Sequence, residues 1–328
     1  MLGKLFGRDG AGPEADPYAL PVPRIRRSGM YPVRALGDTR VLALVQAAEE
    51  GDWEGIKEAA APFDLGRDHR VLGELCDVEG LEEWIGRPIR RDAEHRATAL
   101  LISGLRHVTW GWEARTGARA NHVTQEQWKT FYERLRIAEE HLLEAAELRP
   151  DWVTPWRQLL TSGRGMSVGP AIQETRLAAA LRRAPLDLEI HVERVSQLQP
   201  RWGGEPGEAL AYAREVFAAA PDGDRLGCLI AMAHIEDWVE SDEQNCLDTP
   251  EIQRELRDAA RRSILHPDHR RTPGWQHDFN IFAMALSLAS ESAVCPRVFH
   301  ELGGAYTEWP WKYMADPEKA YTRFRRTA

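Results

Sequence analysis

The chain has 328 residues, 43% of them hydrophobic, with 51 acidic against 42 basic side chains and a formal charge of -9. That length gives one large or two ordinary domains, the acidic surplus disfavours a nucleic-acid partner, and no apolar run approaches the roughly 18 residues of a membrane span. Four scattered cysteines, Cys76, Cys228, Cys246 and Cys295, form no C-x-x-C pair and exclude a disulfide scaffold, so they read as reduced thiols.

Residues 1–37 read as an arm, because Pro13, Pro17, Pro21, Pro23 and Pro32 interrupt every helical period and Arg24, Arg26 and Arg27 sit in it as a solvated or partner-docking cluster. Met1 to Arg8 lacks the apolar stretch of about 7 to 15 residues that marks a signal peptide, so a cytoplasmic location is expected. Basic residues are nearly all arginine, a bias that fits a GC-rich genome. From residue 38 to residue 328 the pattern is that of a single helical domain, with 3.6-residue apolar spacing and no sustained alternation. Helices are expected over 39–61, 67–77, 79–85, 92–116, 125–148, 154–162, 170–183, 187–198, 206–220, 223–238, 250–265, 276–290, 292–302 and 316–326. Thr124 and Gln127 are spaced as a capping box, and Asp316-Pro317 opens a closing helix with a cap followed by proline at its first position.

Prolines recur after alanine-rich helical segments at 150, 185, 221 and 267, intervals of 35, 36 and 46, the last lengthened by an acidic insertion from Asp237 to Glu251. A helix-pair unit of about 34 residues has the tetratricopeptide period, with a proline ending the second helix. Ala138, Leu142, Ala145 and Pro150 match the small, large, small and proline positions of a tetratricopeptide second helix, and Trp156, Leu159 and Leu160 match the start of the next first helix. The chain therefore resembles a degenerate tetratricopeptide-like protein over about 90–300, although Gln173 and Arg262 stand where small residues are expected. Leu198-Gln199-Pro200-Arg201-Trp202-Gly203-Gly204, ahead of Tyr212-Ala213-Arg214, resembles an L-x-P-[KR]-W-G-G loop of bacterial tetratricopeptide-like proteins. The resemblance implies an all-α antiparallel helix-pair solenoid and brings no activity with it.

Several segments could carry chemistry. His266, His269 and His277 form the best metal candidate, but Pro267 takes the H-x-x-H pair off a helix face and Arg270 and Arg271 add repulsion. His300-Glu301 starts an H-E-x-x-H pattern whose second ligand is replaced by Gly304. Ser162 to Gly169 is glycine-rich without the Gly-Lys-Ser/Thr of a phosphate loop, and reads as an inter-helix loop. The acidic insertion reads as a solvated loop, or as one that selects a basic peptide, and lacks the central glycine of a calcium loop.

The twelve tryptophans are the informative excess. Trp110 and Trp112, two apart, cannot share one helix face, so at least one meets a loop, a partner or a helix edge. Core packing is the ordinary reading of these rings; the sharper one is a concave groove lined by Arg106, Trp112, Arg115, Trp156, Arg157, Arg201 and Trp202. The expectation is a non-catalytic adaptor or scaffold that binds a protein or peptide partner, with no cofactor. The alternative is a pocket enzyme, a hydrolase or a biosynthetic tailoring or maturation protein, in one version metal-dependent through His266, His269 and His277.

Overall fold

The computed structural model describes residues 30–116, 122–241, 243 and 245–328; the arm arginines Arg24, Arg26 and Arg27 lie outside them. The described chain is helical apart from one two-residue parallel strand pair, β1 (Tyr31–Pro32) against β2 (Ala305–Tyr306). No helix among the described residues is long and apolar enough to cross a membrane.

Five short helices open the fold: α1 (Thr39–Glu49), α2 (Trp53–Ala60), α3 (His69–Cys76), α4 (Leu81–Trp84) and α5 (Gly86–Arg91). The single helix expected over 39–61 breaks because Gly51 takes a left-handed φ of 69° and Asp52 caps α2 by accepting from Gly55 N at 3.0 Å. There follow α6 (Arg96–Arg115), α7 (Gln125–Leu148), α8 (Thr154–Met166), α9 (Pro170–Leu181), α10 (Leu188–Gln197), α11 (Glu208–Ala219), α12 (Cys228–Glu240) and α13 (Pro250–Arg262). The chain ends with α14 (Trp275–Leu288), α15 (Cys295–Leu302), the single turn α16 (Glu308–Trp311) and α17 (Pro317–Thr327).

From α6 onward consecutive helices pack as pairs, α6 with α7, α8 with α9, α10 with α11, α12 with α13 and α14 with α15. The first helix of each pair also touches the first helix of the next, and each second helix touches the first helix that follows it. Pro150, Pro185, Pro221 and Pro267 each lie just beyond the second helix of a pair, where a residue without an N–H ends the ladder at least cost. The expected capping box forms at α7: Gln127 N donates to Thr124 Oγ1 at 3.3 Å and Thr124 N donates to Gln127 Oε1 at 2.9 Å.

Close approach of these helices depends on glycine. A Cβ on Gly104 would lie 2.7 Å from the Leu142 side chain, and one on Gly165 would lie 2.7 Å from Leu135 and Phe131. This corrects the reading of Ser162 to Gly169 as a loop: α8 runs on to Met166, and Gly163 and Gly165 are small because α9 and α7 press against them. The interval is rich in glycine for packing.

Buried apolar residues fall into two large clusters. One joins α1 to α8, from Ala35 to Leu159; the other joins α10 to α17, from Leu188 to Tyr321. A small third cluster of Val153, Leu160, Leu177, Ala180 and Ile190 sits between them. We call the large clusters the N-lobe and the C-lobe. Residues 30–33, which the sequence assigns to the arm, cross from one to the other: Tyr31 and Val33 pack against the C-lobe core, while Ala35 is buried in the N-lobe. Tyr31 N donates to Gly304 O at 2.9 Å and Val33 N to Tyr306 O at 2.8 Å.

Gly66 sets the loop between α2 and α3 against the start of α8, accepting from Val153 N and Thr154 N, both at 2.9 Å. A Cβ there would lie 2.2 Å from the Trp152 ring, which is backed by the core. Gly66→Ala is expected to lower unfolding free energy in urea by about 2 kcal/mol through this overlap. Gly73→Ala, in the interior of α3 with open space around its Cβ, is expected to raise it by about 0.5–1 kcal/mol through helix propensity.

Candidate functional site

Of the seven proposed groove residues, three meet in one place. Trp112 near the end of α6 lies edge-on to Phe131 of α7, centroids 5.0 Å apart, and edge-on to Trp202, 5.7 Å away. Trp202 ends a 3-10 turn, Pro200–Trp202, and Gly203 behind it takes a φ of 94° that reverses the chain without a side-chain clash. The indole of the L-x-P-R-W-G-G loop thus reaches back from beyond α10 to the first helix pair. Arg115 stacks its guanidinium over three rings, Trp112, Trp128 and Trp202, at 5.6, 5.4 and 5.7 Å. Arg164 of α8 lies over Trp112 and Trp202 from another side and binds Glu193 at 2.9 Å.

The result is an aromatic and arginine box at the ends of α6 and α8. Gly165 makes room for it, since a Cβ there would also press on Trp112 at 3.2 Å. The rings are half-buried, Tyr132 beside them is exposed, and burial lowers the Arg115 pKa from its ordinary value. Arg115 Nη1 donates to the Thr116 carbonyl at 3.2 Å, and guanidinium groups set against indoles combine positive charge with apolar area, a surface suited to a carboxylate next to an apolar group.

The other proposed groove residues go elsewhere. Arg106 is buried away from the box, bound to Glu82 at 2.9 Å, Glu113 at 3.3 Å and the Cys76 carbonyl at 3.1 Å, so it holds α4 and α3 to α6. Trp156 packs between the N-lobe and the middle cluster, with Arg183 over its ring at 5.1 Å. Arg201 turns to Glu236 and Glu240 of α12, and Glu236 also accepts from the Tyr313 hydroxyl at 2.8 Å. Arg157 is 2% exposed, and neither Nη1 nor Nη2 has a hydrogen-bond partner. Burial, opposed by Asp187, Glu189 and Glu193, lowers its pKa to about 10.

The histidine cluster does not assemble. His269 Nδ1 lies 3.0 Å from the Gly223 carbonyl, His266 Nδ1 accepts from Asp268 N at 3.2 Å, and His277 stacks on Trp309 with centroids 5.1 Å apart. Among the described residues no group of three His, Cys, Asp or Glu side chains is arranged to hold a metal ion. Burial pushes the Cys76 and Cys228 thiols well up, and Cys295 to about 11, which suppresses the nucleophilic thiolate. In the acidic insertion, where Asp242 and Gln244 lie outside the described residues, Glu240 is taken by Arg201 and Asp248 binds Gln253 and Ser290.

A second site was not foreseen. Arg70 of α3 donates from Nε to Glu189 of α10 at 2.9 Å, from Nη1 to the Gly274 carbonyl at 2.7 Å and from Nη2 to Asp278 of α14 at 2.6 Å. Arg225 reaches the same two carboxylates, Asp278 at 2.5 and 3.0 Å and Glu189 at 3.2 Å. Arg225, Glu189 and Asp278 belong to the C-lobe side, and Arg70 reaches across to them from the N-lobe to make the seam between the lobes. Above them opens a cleft of about 430 Å³ walled by Phe63, Arg67 and His69 of the N-lobe side and Asp187, Leu188 and Thr272 of the C-lobe side. Asp278 was visible as the lone charge in the apolar run from Phe279 back to Trp275 and on to Leu288; nothing local marked Arg70.

Inside the seam, burial pushes Asp278 up to about 6 against the pull of Arg70. Burial and the Arg70 charge together lower the neighbouring His277 to about 4 from 6.5. A depressed imidazole stabilises the fold above pH 6.5 and is lost as pH falls toward 4, because the unfolded chain takes the proton first. Moving from pH 7.5 to pH 5 should therefore cost the wild type on the order of 1–2 kcal/mol more than His277→Gln, read by urea unfolding at both values; equal losses would contradict the assignment. No family model matches the chain, and neither the curated proteins nor the solved structures provide a match to it.

Proposed function

We propose that the protein is a non-catalytic helical-repeat scaffold whose paired helices stack as a degenerate tetratricopeptide-like solenoid and whose aromatic and arginine box binds a segment of a partner protein. The stacking part is supported by the order of contacts from α6 to α15 and by the prolines after α7, α9, α11 and α13. The single observation that carries the binding part is the box itself. Half-buried indoles under stacked guanidinium groups are the residue types that anchor partner segments in protein interfaces.

The chemistry of the box favours one kind of partner. Arg115 and Arg164, the latter paired with Glu193, supply positive charge on a protein of net charge -9, and Trp112, Trp128 and Trp202 supply apolar area. A segment with a carboxylate beside an aromatic or large aliphatic side chain meets both demands. In the acidic insertion Glu240 binds Arg201, and Asp248 binds Gln253 and Ser290.

Selection of a random peptide library on the immobilised full chain tests this. Retained peptides are expected to pair acidic with aromatic or aliphatic residues, and Trp202→Ala and Arg115→Ala should each weaken them about tenfold or more, equivalent to about 1.4 kcal/mol, at an unchanged unfolding midpoint. Peptides bound equally well by both variants would contradict the reading.

A further inference from the structure

The two large cores meet differently on their two sides. On one side the contact is built around a small apolar cluster, Val153 and Leu160 of the α8 region with Leu177, Ala180 and Ile190, beside the Arg164–Glu193 ion pair and the Trp112–Trp202 contact. On the other side it is polar: Arg70 of the N-lobe reaches Glu189, the Gly274 carbonyl and Asp278, which Arg225 braces within the C-lobe, and one backbone bond runs from Gly274 N to Leu36 O at 3.1 Å. Apolar contact tolerates small rotations, because it is non-directional. A network of charge-assisted hydrogen bonds is made or broken as a unit.

We propose that the protein is a two-lobed clamp: the polar seam opens cooperatively about the small apolar cluster between α8 and α10, with both lobes folded, and so widens the cleft. This goes beyond the peptide-binding reading and does not rest on it.

Three observations support it. The bonds that cross between the lobes, from Arg70 to Glu189, Gly274 and Asp278 and from Gly274 N to Leu36 O, join residues 119 or more positions apart, so none is needed to keep either lobe's helices formed. Each lobe has its own continuous core, with Leu72, Leu75, Leu100 and Phe131 fully buried in one and Phe279, Phe282, Trp311 and Tyr321 in the other. Finally, Arg157 leaves both terminal nitrogens unbonded beside the turning point, in the field of Asp187, Glu189 and Glu193. A buried guanidinium without partners is held at a cost in the closed form, and a shift of α10 against α8 would relieve it.

The seam also sets what opening exposes. Arg70 covers Asp278, which is fully buried, and Glu189, while Leu36, Pro62 and Phe63 face Leu186 and Pro273 across the cleft. Opening takes Arg70 away from Asp278 and from Glu189, which already lines the cleft, leaves both acids on Arg225, and widens the apolar rim at a position between lobes where ligand clefts commonly lie.

Hydrogen exchange of the full chain reads the motion directly, because the Gly274 amide bonds across the seam to Leu36 O, while the Tyr31 and Val33 amides bond within the C-lobe. In Arg70→Met the Gly274 amide is expected to exchange about tenfold faster or more, while the Tyr31 and Val33 amides and those in α7 and in the middle of α14 change less than about twofold. Acceleration of the lobe amides by the same factor would show one cooperative unit and overturn the proposal. An unchanged Gly274 amide would overturn it too. If Arg70→Met does not fold, the wild type in dilute urea decides: the Gly274 amide should show a shallower urea dependence of exchange than the lobe amides, and an equal dependence would contradict the clamp.

Discussion

Arg70 joins residues that lie 119 and 208 positions away in the chain, Glu189 and Asp278. Its guanidinium has five donors in a fixed plane, and the fold uses that plane to bring α3, α10 and the loop before α14 to a single point. Taking such groups out of water costs several kcal/mol per ion, which is repaid only because Arg225 completes the set and the Gly274 carbonyl accepts the remaining bond. The order of the helices in the C-lobe does not need this contact. The position of the N-lobe against it does.

This constraint changes what a stack of helix pairs does here. Left open, successive pairs from α6 to α15 would present a long inner face. In this chain Arg70 of α3 reaches α10 and α14, the first helices of two pairs, and residues 31–32 pair with β2. The aromatic and arginine box lies apart from these contacts, built from Trp112, Trp128, Arg164 and Trp202 on the side of the apolar turning point. The aromatic and arginine box and the seam between lobes thus occupy different sides of the same connection between α8 and α10.

The helical class and the pairing of helices were legible in the sequence because they rest on local rules. Prolines after α7, α9, α11 and α13, the capping box at Thr124 and the Asp316-Pro317 start of α17 each act within a few residues of where they are read. Glycine misled where its role was spatial: Gly163 and Gly165 looked like a flexible loop and are helix surface pressed by Gln173, Arg176, Leu135 and Phe131. Among the groove residues, Trp112, Arg115 and Trp202 converge, since an indole with no core position free must find an edge. Arg106 and Arg157 do not, because periodicity alone does not tell a buried arginine from a solvated one. The three histidines were neighbours in sequence only. The seam was invisible for a general reason, that its members are ordinary charged residues whose pairing spans most of the chain, and only Asp278 within an apolar helix hinted at it.

The most direct measurement of this account is a double-mutant cycle on Arg70 and Asp278, with Arg70→Met, Asp278→Asn and the pair, each followed by urea unfolding. If the seam is closed by this contact, the single changes should each cost about 3 kcal/mol and the pair much less than their sum, a coupling of about 2 kcal/mol or more. Single effects that add to within about 0.5 kcal/mol would show that the two residues act independently, and the lobes would then be held together by something other than the charges between them.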